Sequence, residues 1–181
     1  MKKIDFKRIL FVLTALVLTL CMCFAVVGCS SDNDDDDEGS SFTRPERAVD
    51  AFLQASYRDF DAEKVLDCAY VNALKRDASP DNMSNEEFKQ MLKESMEYMQ
   101  QQAAELENYS VTWDITDIEE VDKDELEDIS DEYNVDVEGC AYVEVEITES
   151  YEYDGETESL DRNFEVVLIQ LDGNWLVAQI H

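Results

Sequence analysis

The hydrophobic period of this chain changes near residue 107, after a helical pattern. Up to Leu106 apolar residues recur at helical spacing, and from Tyr109 they alternate. Val49, Phe52, Leu53, Ser56, Tyr57 and Phe60 fall at i, i+3, i+4, i+7, i+8 and i+11, one face of an α-helix. Its start has two readings: Thr43 with Glu46 makes a capping box, while Pro45 suits the first helical position. Asp61 can cap a second, short helix carrying Val65, Leu66 and Ala69. After the breaker "DASPDNMSN", Ser84 and Glu87 form another capping box. It opens a long helix with Phe88, Met91, Leu92, Met99, Ala103 and Leu106 on one face. Beyond it, Tyr109, Val111, Trp113 and Ile115 alternate with Ser110, Thr112, Asp114 and Thr116, and Val143, Val145 and Ile147 with Glu144, Glu146 and Thr148. A period of two means a sheet with one buried and one wet face. Asp154-Gly155 and Asp172-Gly173 sit where hairpin turns want them. Phe164–Leu171 is apolar on both faces at its middle, which suits the sheet centre, and Trp175–Ile180 is the last strand. Between the first two strands Leu126, Ile129 and Tyr133 share a narrow stripe, with Asp122 as cap. That reads as a short helix at the sheet's edge, the alternative being an acidic loop. The expected order is three helices, a strand, a short helix and three strands in a meander. This is an α+β domain, with N-terminal helices packed on a curved antiparallel sheet.

Two stretches carry a resemblance. "RPERAVDAFLQASYRDFDAEKVLDCAY" resembles the first helices of the nuclear transport factor 2-like superfamily, as found in small Gram-positive lipoproteins. "VVLIQLDGNWLVAQI" resembles its closing hairpin. The resemblance implies a cone of curved sheet wrapped on helices, often open at one end. The acidic insert at 117–138 departs from the simplest version.

The N-terminus gives an address. Lys2, Lys3, Lys7 and Arg8 precede an apolar run from Ile9 to Val27, the pattern of an export signal. Val26-Val27-Gly28-Cys29 resembles the lipobox of bacterial lipoproteins, which implies cleavage before Cys29 and lipid on its thiol. The other reading is an uncleaved anchor, since the run is long enough to span a bilayer. Both place the rest outside the cytoplasm, because the basic residues flank only the N-terminal side. The chain thus divides into a signal peptide (1–28), a lipidated Cys with an acidic linker (29–42), and one domain (43–181). That length suits one core. Six acids in Asp32–Glu38 make the linker self-repelling and extended. They imitate the start of an EF-hand loop, but position 12 is Pro45.

Charge excludes some partners. From Cys29 onward there are 10 basic and 43 acidic residues, and after residue 100 only Lys123 and Arg162 stand against 25 acids. Such a surface repels nucleic acid and anionic lipid. It suits cations or a basic partner, with the membrane reached only through Cys29. Cys68 and Cys140 are the cysteines left in the domain. They read as buried thiols, with a disulfide as the alternative that export permits. The one histidine is His181, so no zinc pattern exists. No metal or cofactor is expected.

Two surfaces are candidates. Tyr57, Tyr109, Trp113, Gln170, Trp175 and Gln179 either line a pocket in the cone for a small amphipathic molecule or form an ordinary aromatic core. Asp114, Glu144, Glu146 and Glu152 belong to an acidic sheet face, either a docking plane or plain solvated surface. Its like charges oppose self-association, so the expectation is a monomer, or a dimer that needs divalent cations. The superfamily holds isomerases and dehydratases, but the inward strand positions show no mid-strand carboxylate: Asp117 and Glu149 come into phase only at strand ends. A general base needs a desolvated site, and none is placed. The leading expectation is a lipid-anchored, non-catalytic binding module on the outer face of the cytoplasmic membrane or at the cell surface. It would recognise an extracellular protein or cell-wall partner, or a small ligand in the cone. The alternatives are a small enzyme and an acidic, cation-binding structural protein.

Overall fold

A computed structural model describes residues 42–78, 83–153 and 156–181; the signal-like run, Cys29, the acidic linker and the Asp154-Gly155 turn lie outside them. Five α-helices and one four-stranded antiparallel open sheet occupy the described residues. The helices are α1 (Pro45–Leu53), α2 (Ala62–Asp67), α3 (Val71–Ala78), α4 (Asn85–Ala104) and α5 (Leu126–Tyr133). A π-helical turn, Gln54–Asp59, extends α1. The strands are β1 (Glu107–Glu120), β2 (Gly139–Tyr153), β3 (Glu156–Leu171) and β4 (Asn174–Ile180), paired in chain order.

Local signals set most of these ends. Pro45 occupies the first turn of α1 with extended Arg44 before it and no side-chain cap, so the proline and not Thr43 fixes the start. Asp61 accepts from the Glu63 and Lys64 amides at 3.0 and 3.2 Å and caps α2. Ser84 and Glu87 form the expected capping box on α4, with bonds of 2.9 and 3.2 Å. Asp122 does not cap α5; its carbonyl accepts the Glu125 amide in a turn ahead of the helix. Helix α3 is an addition to the expected order. It is short, and Ala73 and Leu74 are its buried residues, too brief a pattern to show a period. The Asp172-Gly173 turn has positive φ at both residues, 49° and 76°, the left-handed pair a tight hairpin requires.

One face of the sheet buries the core. Ala141, Val143, Val145 and Ile147 of β2 meet Val49, Phe52 and Leu53 of α1, Val65 of α2, and Phe88 and Met96 of α4. A smaller cluster on the back face joins Tyr133 of α5 and Val137 to Ile169 and Ala178. Helix α5 therefore covers only one end of the back face. The β4 edge is closed by backbone: the Tyr70 amide donates to the Val177 carbonyl and the Val177 amide to the Cys68 carbonyl, both at 2.8 Å.

The register shifts at three places, the first between Glu107 and Ser110 at the start of β1 and the other two within the expected strands. Between Ile115 and Asp117 the register of β1 shifts, so Asp117 lies opposite Glu144 and Ile118 opposite Val143. Asp117 thus joins the back face rather than the core face. In β4 the shift falls between Val177 and Gln179, and Gln179 lies opposite Val167. A bulge inserts one residue and turns everything beyond it over.

Candidate functional site

The six aromatic and amide candidates do not converge on one pocket. Gln170 and Trp175 pair at the end of the sheet where Gly139 begins β2. A Cβ on Gly139 would lie 2.9 Å from the Trp175 ring and 3.2 Å from Gln170 Oε1, so those side chains rest directly on the glycine. Trp113 lies on the β1 edge; its indole donates to Asp50 at 2.8 Å, and the Arg58 guanidinium sits 4.2 Å from its ring centroid. Gln179 accepts from the Tyr133 hydroxyl at 3.0 Å in the back-face cluster, where the β4 bulge turns it. Tyr57 and Tyr109 do meet. With Phe60, Met99, Ala103, Leu106 and Arg162 they line a cleft with room for about 10 Å³ of solvent, that of one water. Ten residues of β2 separate Gly139 from this cleft, about 33 Å of strand. The single cone pocket expected from these six residues is therefore two separate ends and a flipped glutamine.

Behind the cleft lies a group that the sequence reading put at the rim. β2 continues past Glu149 to Tyr153, and Glu149 is only 6% exposed. Its carboxylate forms an ion pair with Arg162 of β3 and accepts a hydrogen bond from the Tyr109 hydroxyl at 3.2 Å. Burial, with the Tyr57 hydroxyl adding to it, pushes the Tyr109 phenol up to about 12, against an opposing pull from Arg162. Tyr109 thus stays a protonated donor. The signal for this pair was present in the phase: Glu149 follows Val145 and Ile147 on the inward side, and Arg162 precedes Phe164 and Val166. What was missing was the strand length that makes both positions interior.

The acidic candidates lie together on the back face, beyond the part that α5 covers. Asp114 is opposite Glu146, Asp117 opposite Glu144, and Glu144 opposite Glu165 on its other side. Glu152 is opposite Glu107 at the far end. Asp114, Asp117 and Glu146 are exposed, and Glu144, Glu152 and Glu165 half-buried. His181 exchanges backbone hydrogen bonds with Glu165 at 2.8 and 3.0 Å and so borders this face. Thr148 donates to Asp161 at 2.7 Å beside it.

Cys68 and Cys140 are both buried free thiols. Cys140 pairs with Ile169 of β3, while Cys68 binds the outer edge of β4. Three steps across the sheet, at roughly 4.8 Å each, separate the two backbones, well beyond the roughly 7 Å a disulfide spans. The fold therefore does not accommodate that disulfide. Burial pushes each thiol from 9.0 up to about 11, with small additions from Asp67 at Cys68 and Glu132 at Cys140.

Among the described residues no group of three or more His, Cys, Asp or Glu is placed to hold a metal ion, and no helix is long and apolar enough to cross a membrane. Glu138, just ahead of β2, accepts the Gly173 amide at 2.7 Å. No protein-family model, no curated protein and no solved structure matches this chain.

Proposed function

We propose that this protein is a lipid-anchored, extracytoplasmic binding module that takes a cationic partner, a protein or a cell-wall component, on the acidic back face of its sheet. The observation that carries the reading is the register. Four cross-strand neighbour pairs there are acid against acid: Asp114–Glu146, Asp117–Glu144, Glu144–Glu165 and Glu107–Glu152. Like charges directly opposite destabilise a sheet. A cation-bearing surface brought against the face would relieve the repulsion that folding alone leaves in place. The excess of 43 acidic over 10 basic residues from Cys29 onward would steer such a partner toward the domain. The address rests on the basic start, the apolar run and Gly28-Cys29. We read the helix-on-sheet layering as a cone of the nuclear transport factor 2-like kind. Glu149, the buried carboxylate, is committed to Arg162 and Tyr109, which favours binding over catalysis.

The test is site-directed photo-crosslinking on intact cells. A crosslinker at Thr112, on the acidic face, should capture a discrete species that one at Lys93, on exposed α4, does not. Equal capture from both positions would refute the docking plane. Recovery of protein with an Ala at position 29 in the membrane after signal cleavage would refute the lipid anchor.

A further inference from the structure

The geometry points to the free edge of β1 as the place where the partner is held: an extended, lysine-bearing segment of a protein adds to the sheet there as a further strand. The inference rests on the cationic partner proposed above and names the form it takes. β1 lies at one end of the strand order and β4 at the other. The β4 edge receives the Tyr70 and Cys68 backbone. On β1 the backbone directions follow from two contacts. The Val111 carbonyl faces away from β2, because it accepts from the Arg58 Nε–H and Nη2–H at 3.2 and 2.9 Å. The Val121 amide faces β2, where it donates to the Cys140 carbonyl at 2.9 Å. Backbone direction alternates along a strand, and the register shift between Ile115 and Asp117 reconciles the two ends. Trp113, Ile115, Ile118 and Glu120 therefore turn their N–H and C=O groups outward. Among the described residues no other backbone group bonds to them.

Side chains along this edge sort by face. Trp113, Ile115 and Ile118 lie on the core side and are only half-buried, so each keeps apolar surface free. Thr112, Asp114, Asp117 and Glu119 lie on the back face and are exposed. A strand laid against β1 meets apolar groups on one face and carboxylates on the other. Lysine alternating with valine or isoleucine matches both. Other occupants meet the same carboxylates. A second copy pairing β1 with β1 would set these acids against themselves, and so would the six acids of Asp32–Glu38. Phe42, where the domain begins, binds the opposite edge strand: its carbonyl accepts the Trp175 amide at 2.8 Å. An unpaired edge is ordinarily a hazard that charged side chains blunt. Here charge of one sign turns away the chain's own copies and leaves the backbone open to a basic strand.

The register of an added strand supplies the test. Partner residues opposite Trp113 and Ile115 share the core side with them and aim their own N–H groups at β1, while the lysines between aim theirs away. Two forms of the acetylated, amidated heptapeptide KVKVKVK, equal in charge, are titrated into the ¹⁵N-labelled full chain in phosphatidylcholine nanodiscs, with empty nanodiscs as the control. One is N-methylated at its valines, the other at its inner lysines. In the free chain the Trp113, Ile115 and Ile118 amides should exchange rapidly with water. The lysine-methylated peptide, at about a hundred times its Kd, should slow them about a hundredfold. It should bind at least about tenfold tighter than the valine-methylated form, which has lost its backbone donors toward β1. Equal binding of the two forms, with signal shifts at Thr112 and Glu146 and rapid exchange at the edge, would overturn the added strand while the acidic docking plane stood. No shift at Thr112 with either peptide would overturn the plane as well. Edge amides already protected in the free chain would show an edge covered by the chain itself or by a second copy, and would overturn the proposal.

Discussion

Glu149 and Arg162 are the residues on which the domain most depends for a matched charge. Removing one partner of a buried pair leaves the other uncompensated, at about 3–5 kcal/mol. Glu149→Leu or Arg162→Met alone should lower urea stability by about that much, and the double replacement should restore most of it. Additive losses in the double variant would mean that the two groups do not act as a pair. Cys68 and Cys140 give a pH signature. Both thiols are held neutral, from 9.0 up to about 11, by burial. Between those values the unfolded chain has lost protons that the folded chain keeps. The thiols' contribution should therefore be level below pH 9 and fall through the window to pH 11, by about 1.4 kcal/mol per pH unit for each thiol. A flat denaturation profile from pH 8 to 10.5 would show the thiols are exposed. Absence of free thiol in unreduced, unfolded protein would show that they are bonded.

At the scale of elements, Gly139 is the tightest point. The Trp175 ring occupies the space a Cβ would take, so Gly139→Ala should cost about 1–3 kcal/mol through displacement of a buried ring. An unchanged melting temperature would mean that the ring does not rest there. The helix and strand elements were largely legible in the sequence because caps and periods are local. Ser84 with Glu87, Asp61 and Pro45 act at their own helix ends, and the alternation around Val111 and Val145 marks real strands. Three features were not legible, for a common reason. The bulges near Thr116 and Ala178 insert one residue each, and a pattern of alternation carries no mark of where that happens. Asp117 and Gln179 were consequently assigned to the wrong face. Glu149 was in the right phase but appeared to end its strand, since pairing with β3 out to Tyr153 is a tertiary fact. Helix α3 is held by the β4 edge rather than by a stripe of its own.

For the whole molecule the question is why a sheet should keep acids opposite acids. The helices and α5 cover the core face and one end of the back face, and the uncovered remainder carries the repelling pairs. Added salt should raise the stability of the native chain, because exposed charges are screened within about 8 Å at physiological ionic strength. The most direct measurement takes Asp114→Asn/Glu146→Gln and records two quantities on the same protein: its denaturation midpoint at low salt, and its capture of partner from the Thr112 crosslinking position. The expected result is a gain of about 0.5 kcal/mol in stability together with loss of capture, the signature of a surface held for binding at the expense of the fold. Undiminished capture by the neutralised face would contradict the account.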